Sequence, residues 1–276
     1  MALKKNSLKL LSWLYFDSSI RSSVADHSQV QQPAILTSDL PYFFPELTSG
    51  GQRSLISLMV SDSLIERVPY SPSVASGLLV PSEAHKQGSN LVVATTNGVD
   101  LLSRQFPAFK TIVKPWKGVW TVIAFLEAPK SDPQFRYLRS KLLTAQAGQM
   151  KAGLYIYPGD LPEDIFVQLK ELYVGSVVIW QTSQWRFGDE RNIIGTIFGV
   201  HKTMQALSGV SNDLDLLLSS ADAQKGLTEK QKKKIFMVFD RFYEIIIQDS
   251  GIFSWYFPQA KKISEILYDF HRLYER

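Results

Sequence analysis

The chain has 276 residues, of which 45% are hydrophobic and 20% are charged, as is ordinary for a globular protein of two or three small domains. It contains no cysteine, which excludes disulfide bonds, thiolate metal sites and a cysteine nucleophile. The net charge of +4 permits binding to a polyanion without requiring it.

The first predicted element is a helix over residues 3–17, whose apolar residues suit an amphipathic surface. Lys9 and Asp17 interrupt its apolar run, so we do not interpret it as a signal peptide. No apolar run reaches the ~18 residues of a membrane span, and we therefore expect a cytoplasmic protein without a membrane partner. Residues 18–33 predict a polar loop, and residues 35–44 predict a brief second helix.

A better defined helix follows. Thr48 or Ser49 can cap it, and it is predicted to run to about Ser61. The apolar residues expected to point inward are Leu55, Ile56, Leu58 and Met59. The residues expected on the opposite side are Arg53, Ser54, Ser57 and Ser61.

Two strands are predicted next, over residues 65–70 and 90–95, with a long polar tip between them at 71–89. Residues 110–115 are expected to form a linker that ends at Pro115. A helix followed by a β-ribbon is the order found in winged-helix domains.

The middle of the chain alternates strand and helix patterns over about 65 residues. The predicted strands cover residues 121–126, 153–157 and 177–180. One predicted helix begins with Asp132 as N-cap and Pro133 at its first position, and is closed by Gly148. A second helix is predicted over residues 163–173. This alternation predicts a small ferredoxin-like α+β domain.

The remainder is predicted to be helical. Residues 192–218 form one or two helices, with a break at Gly199 or at Ser208-Gly209. Thr228 is predicted to cap a helix that extends to about Gln248, and Pro258 to open the last helix. The lysine-rich run at 230–234 is expected to be the exposed side of a helix.

Several motifs resemble the PaaX family, bacterial repressors of phenylacetate catabolism and their relatives. The centre of the resemblance is the set Trp116-x-Gly118-x-Trp120, Arg136-Tyr137-Leu138-Arg139, Gly148 and Gly153-Leu154-Tyr155-Ile156-Tyr157-Pro158. That centre is in turn similar to the small nuclease-like subunit of CRISPR adaptation complexes. The helix after Thr48 resembles the family's recognition helix, and Phe239-Asp240-Arg241-Phe242-Tyr243 resembles its carboxy-terminal region.

The resemblance implies an α+β protein with three domains. These are an N-terminal winged helix-turn-helix at residues 1–112, a central ferredoxin-like βαββαβ domain at 113–187, and a C-terminal helical domain at 188–276. It also implies a homodimeric repressor that binds double-stranded DNA and is released by a small-molecule effector, an acyl-coenzyme A thioester in the family.

Candidate DNA-binding residues follow from the helix and ribbon patterns. Short polar or arginine side chains are suited to base edges, and basic neighbours to phosphates. The base-reading candidates are Gln52, Arg53, Ser54 and Ser57, and the phosphate-binding candidates are Arg67 and Lys86, with Lys4 and Lys5. A solvated helix face is the alternative for any one of these residues.

Candidate effector-binding residues are Trp116, Trp120, Arg136 and Arg139, with Trp185 as a further lining residue. For each tryptophan, packing in the core is the alternative interpretation.

No catalytic constellation is predicted, and neither a cofactor nor a metal. The four histidines form no ligand pair at helical spacing, and neither a phosphate-binding glycine loop nor a GxSxG motif occurs. Two other functions stay open. One is a metal-dependent nuclease with Glu127 at the end of the first central strand, and the other is a winged helix that serves protein contacts only.

Overall fold

The computed structural model describes residues 5–15, 32–71, 78–79, 90–113, 115–127, 131–173, 175–186, 188–220 and 227–275. The fold is mixed α+β, which confirms the predicted class. None of the helices in these ranges is both long enough and apolar enough to cross a bilayer.

The chain forms two compact units. The first combines Met1–Gln105 with Leu207–Ile246 and Lys261–Arg276, and the second combines Phe106–Ala206 with Ile247–Ala260. The three-domain division stays a prediction, whereas the packing assigns the segments after residue 188 to both units.

The helices and strands are numbered in chain order. In order, the helices are α1 (Lys5–Trp13), α2 (Leu40–Phe43), α3 (Ser49–Ser61), α4 (Thr96–Gln105), α5 (Pro107–Val113), α6 (Pro133–Thr144), α7 (Glu163–Leu172), α8 (Glu190–Ile197), α9 (Val200–Ser220), α10 (Glu229–Ile246), α11 (Phe253–Tyr256) and α12 (Ile263–Glu275). The strands are β1 (Gln32–Leu36), β2 (Ile65–Pro69), β3 (Leu78–Leu79), β4 (Asn90–Ala94), β5 (Trp120–Phe125), β6 (Gly148–Lys151), β7 (Leu154–Pro158) and β8 (Val177–Thr182).

The sheet of the first unit has the strand order β2-β4-β1-β3, with β4 antiparallel to both of its neighbours. Strands β2 and β4 confirm the two strands predicted for the ribbon. The helix predicted over residues 35–44 is wrong at its beginning, because Ile35 lies in β1 and pairs with Val92. The buried run Ala34–Leu36 completes the sheet, and the helix is limited to α2 after a 3-10 turn.

Helix α1 is the centre of the first unit. It confirms the predicted helix, but the predicted amphipathic character is wrong, since residues 7–15 are all buried. Two of its buried polar side chains form hydrogen bonds within the unit. Lys9 donates to the Phe43 carbonyl at 2.8 Å, and Ser12 donates to the Leu8 carbonyl at 2.8 Å. The aromatic rings around Trp13 are Phe43, Phe236, Phe239, Phe270, His271 and Tyr274.

The second unit contains the elements β5-α6-β6-β7-α7-β8, and its sheet has the strand order β6-β7-β5-β8 with every neighbouring pair antiparallel. Strands β5, β7 and β8 and helices α6 and α7 confirm the predicted alternation. The apolar core between helices and sheet contains Ile123, Phe125, Phe135, Leu138, Leu142, Tyr155, Ile165 and Leu169.

The local pattern did not locate strand β6 of the predicted βαββαβ domain, because Gly148 was expected to close the preceding helix. Instead α6 ends at Thr144, and Gln146 takes the left-handed conformation with φ of 69°. Gly148 begins β6, where a Cβ atom would lie 2.3 Å from the Ile197 side chain. The glycine is therefore explained by close packing of α8 against the sheet.

Three other predictions concern helix ends. The linker expected at 110–115 is helical over its first four residues, since α5 extends to Val113. The break at Gly199 is confirmed, with φ of 61°. Thr228 caps α10 as predicted, but Pro258 lies between α11 and α12 and does not open the last helix.

Candidate nucleic-acid interface

Helix α3 begins at a well-formed cap. The Thr48 hydroxyl accepts a hydrogen bond from the Gly51 amide at 3.2 Å, which satisfies one of the free amides of the first turn. Ile56 and Met59 anchor the helix in the core. The chain leaves α3 through Ser63 at φ of 55°, and the Ser63 carbonyl accepts a hydrogen bond from the Thr95 hydroxyl at 2.6 Å. Both ends of the helix are thus fixed.

The outer side of α3 carries the predicted polar residues. Arg53, Ser54, Ser57 and Ser61 are all exposed, as expected. The helix sequence SGGQRSLISLMVS contains no aspartate or glutamate. Arg67 on β2 donates to the Ser57 hydroxyl at 3.4 Å, which brings a second guanidinium to this side. We call Arg53, Ser54, Ser57, Leu58, Ser61 and Arg67 the α3 surface.

Two expectations for α3 are corrected. Gln52 is not part of the α3 surface, because it is buried and its amide nitrogen donates to the Phe44 and Leu47 carbonyls at 3.2 Å each. Its role is to hold the segment before α3 against the helix. Leu58 was expected to point inward, yet 41% of it is exposed.

Of the other predicted phosphate-binding lysines, the structure describes only Lys5. Lys86 lies outside the described residues, as do Lys4 and most of the ribbon tip. Lys5 is exposed and pairs with Glu244 on α10, which also holds the pKa of Lys5 above its usual value.

A buried ionic network that the sequence did not reveal fixes the start of α2, the helix that packs against α3. Lys232 contacts both carboxylate oxygens of Asp39, at 3.0 and 3.2 Å, and both residues are buried, as is Tyr274. The Tyr274 hydroxyl donates to Asp39 at 2.6 Å and accepts from the Leu36 amide at 3.1 Å. Asp39 precedes α2, so α10 and α12 fix the position of α2, which packs against α3.

The buried ion pairs correct the prediction for the lysine run at 230–234, and they show that Lys9 was a sign of buried charge in the sequence. Within the run at 230–234, expected to be exposed, Lys232 is buried, whereas Lys230, Lys233 and Lys234 are exposed. Lys9 forms an ion pair with Asp240 in the same unit. A lysine inside an apolar run, as at Lys9, is the sequence feature that could have indicated a buried partner.

The predicted effector-binding residues do not converge. Side chains alternate between the two faces of a strand, so Trp120 points away from the face that carries Ile123 and α6. Arg136 and Arg139 lie exposed on α6. Trp116 packs edge-on against Trp120, with ring centroids 4.5 Å apart. The two tryptophans and the two arginines therefore belong to opposite faces of the sheet.

Each pair has its own surroundings. Trp120 stacks on Phe198, and Trp116 also packs against Trp255, a half-exposed aromatic residue that the sequence did not single out. Trp120 is buried, which agrees with the alternative interpretation that it packs in the core. Trp185, the further lining candidate, is half-buried.

The arginine pair has different neighbours. Arg139 donates to Gln149 at 3.4 Å. The nearby Tyr155 is buried, and burial raises the pKa of its hydroxyl.

Metal chemistry has little geometric support. Among the described residues, no three His, Asp or Glu side chains are grouped as a metal site requires. Glu127, the candidate for a nuclease, is exposed after the end of β5.

The fold is mixed α+β and contains two small sheets in which most neighbouring strands are antiparallel. The α3 surface lies in the unit that contains the first of these sheets. Residues 113–194 match the family described as PaaX protein central Cas2-like domain. The chain thus carries the central domain of the PaaX family, and the family resemblance predicted from the sequence is confirmed.

No curated protein matches the chain. Among solved structures, uncharacterized protein Rv0674 from Mycobacterium tuberculosis is similar over 97% of both chains, with 12% identity and a TM-score of 0.44.

Proposed function

We propose that the chain is a transcriptional repressor of PaaX type that binds double-stranded DNA in a sequence-specific manner through the α3 surface. The observation that carries the proposal is an exposed, acid-free helix face with Arg53, Ser54 and Ser57, in a chain that contains the PaaX central domain. Arginine and short polar side chains are suited to base edges in the major groove. The second guanidinium, from Arg67, is suited to a phosphate.

The order of elements supports a winged helix over residues 1–112. Helices α1, α2 and α3 with strands β1, β2 and β4 follow the order helix, strand, helix, helix, strand, strand. We propose that the wing lies in the long connection between β2 and β4, within which Leu78–Leu79 form β3 and pair with β1 at the far edge of the sheet. We place Lys86 there as a phosphate contact.

The second part of the proposed architecture is a ferredoxin-like domain over residues 113–187. It is supported by the βαββαβ order and by a sheet in which β5 and β7, the first and third strands, lie in the middle. The helical region at 188–276 completes the proposed organisation.

We further propose that the repressor is a homodimer released from DNA by a small-molecule effector. Two-fold symmetric operators match dimer symmetry, which supports the dimer. An acyl-coenzyme A thioester is the effector class that the family resemblance implies. Of the predicted residues, Arg136 and Arg139 on α6 are the exposed cations that could bind its phosphates, and Trp116 on the other face is a separate candidate.

The test is a titration of DNA binding with salt. The full chain is used to select a duplex from a random library, and its affinity is measured from low to high salt. Each phosphate contact releases counterions, so we expect affinity to fall steeply as salt rises. Arg53→Ala should weaken binding by about 1–3 kcal/mol if Arg53 contacts a base. Arg191→Ala, which removes an exposed arginine from α8, is the matched control and should change little.

The outcomes separate the candidate functions. No measurable binding to any duplex at low salt would overturn the proposal and favour a module for protein contacts. Cleavage of DNA that requires Mg²⁺ and is lost in Glu127→Ala would favour a nuclease.

A further inference from the structure

The most unusual side chain of the α3 surface is a leucine. Leu58 is 41% exposed, although the flanking Ile56 and Met59 are 2% and 1% exposed. Residues three and four apart on a helix are neighbours, so Leu58 lies beside Ser54 in one direction and Ser61 in the other. Both serines are exposed and too short to cover it. Leu58 therefore projects from the row of residues that would face a DNA groove.

The α3 surface has two unlike edges. On one edge, Arg53 is exposed and Arg67 donates to Ser57, which makes this edge cationic and rich in hydrogen-bond donors. On the other edge, Leu58 follows the half-buried Leu55 at helical spacing, which makes that edge apolar. An isolated exposed leucine is common on protein surfaces. At the edge of a face that carries serine, arginine and the 39% exposed Val60, Leu58 is suited to contact a matching apolar group on the partner.

DNA presents one such group at the base edges of the major groove. Only thymine carries a methyl group there, while the other base edges present hydrogen-bond donors and acceptors. We propose that Leu58 determines specificity by packing on a thymine methyl group, so that the operator half-site contains an A·T pair opposite the third turn of α3. This inference rests on the proposed function, and it adds the type of base pair that the α3 surface selects.

The experiment removes the methyl group and the leucine separately. Each thymine of the selected duplex is replaced in turn by uracil, which lacks only the 5-methyl group, and binding is measured for the wild-type chain and for Leu58→Ala. At one thymine, or at its symmetry mate, we expect uracil to weaken wild-type binding about fourfold, the value for one buried methyl group. The same replacement should leave the affinity of Leu58→Ala unchanged, because the two changes remove one shared contact.

Leu143→Ala is the matched control, since Leu143 is 38% exposed on α6 and should show the wild-type response to uracil. The inference is overturned if no thymine shows a methyl effect, or if the effect persists at full size in Leu58→Ala. These results leave the proposed function intact, because they require a duplex that binds. Failure to select any duplex overturns the proposed function itself, and this inference with it.

Discussion

The two units differ in how many ionisable side chains they bury. Among the described residues, the first unit buries Lys9, Asp39, Lys232, Asp269 and His271. In the described part of the second unit, Asp249 carries the single buried carboxyl group, and the main core between helices and sheet is apolar apart from tyrosine hydroxyl groups. Burying a charge without a partner is costly, so each buried group must be paired or neutral.

The difference reflects how each unit is assembled. The core of the second unit comes largely from one continuous stretch, in which neighbouring strands and helices supply apolar faces to one another. The first unit joins three separate segments, and the Asp39–Lys232 pair connects residues 193 positions apart. We infer that the buried ions specify which distant segments meet, and that the position of α3 depends on α10 and α12.

The largest expected effect comes from breaking that pair. Lys232→Ala leaves the Asp39 carboxylate buried with only the Tyr274 hydroxyl and no cation, and should lower the free energy of unfolding by about 3–5 kcal/mol. Urea denaturation measures the loss. Amide hydrogen exchange should show that α2 and α3 lose protection although neither is mutated.

Lys234→Ala is the control from the same lysine run. Lys234 is exposed, so its removal should change stability by no more than about 0.5 kcal/mol. If both variants have equally small effects, the Asp39–Lys232 pair does not hold the first unit together, and the contrast between the units is lost.

How far the sequence could predict these features depends on the range of the contacts involved. The Thr48 cap, the exposed Ser54 and Ser57, and the Asp132 cap of α6 with Pro133 after it follow from local spacing, and the structure agrees. Local patterns could not show that α1 is buried on all sides, because that depends on helices more than 200 residues later.

The errors at the candidate sites have the same origin. Gln52 has a side chain suited to a base edge, but its position on α3 turns it toward the Phe44 carbonyl. The tryptophans and arginines proposed as one ligand site are close in sequence, yet the alternation of β5 side chains separates them. Residue type suggests what a side chain can do, whereas only the tertiary fold decides whether it is accessible.

The second prediction concerns His271 in the first unit. Burial lowers the pKa of its imidazole from the usual 6.5 to about 4, although its ring nitrogen lies 2.7 Å from the Trp13 carbonyl. The unfolded chain therefore binds a proton at higher pH than the folded chain. This residue should contribute stability above about pH 6.5 that is lost as pH falls toward 4, by about 3 kcal/mol in total.

The measurement is the unfolding free energy of the wild-type chain and of His271→Gln between pH 7 and pH 4. Glutamine can still donate to the Trp13 carbonyl but does not titrate, so the variant should show a shallower loss of stability on acidification. Equal slopes for the two proteins would mean that His271 takes up its proton over the same pH range in the folded and the unfolded chain, contrary to its buried position.

The smallest expected effect has the opposite sign and lies in the second unit. Burial raises the pKa of the Asp249 carboxyl from 3.8 to about 6, and the hydrogen bonds from the Gly251 and Phe253 amides only partly offset it. Here the folded chain binds the proton at higher pH than the unfolded chain. The stabilising contribution is therefore complete below about pH 4 and is lost as pH rises through 6, by about 2–3 kcal/mol.

Asp249→Asn separates this effect from that of His271. Asparagine keeps the carbonyl oxygen that accepts from the Gly251 amide and cannot ionise, so the variant should be more stable than the wild type at pH 8 and nearly equal to it at pH 4. Hydrogen exchange of peptides from residues 247–256 should report the change locally. A variant less stable than the wild type at pH 8 would show that the ionised Asp249 carboxylate is stabilised in place by the Gly251 and Phe253 amides. The second unit would then hold a buried charge without a cationic partner, and the contrast between the units would lie in how their buried charges are paired.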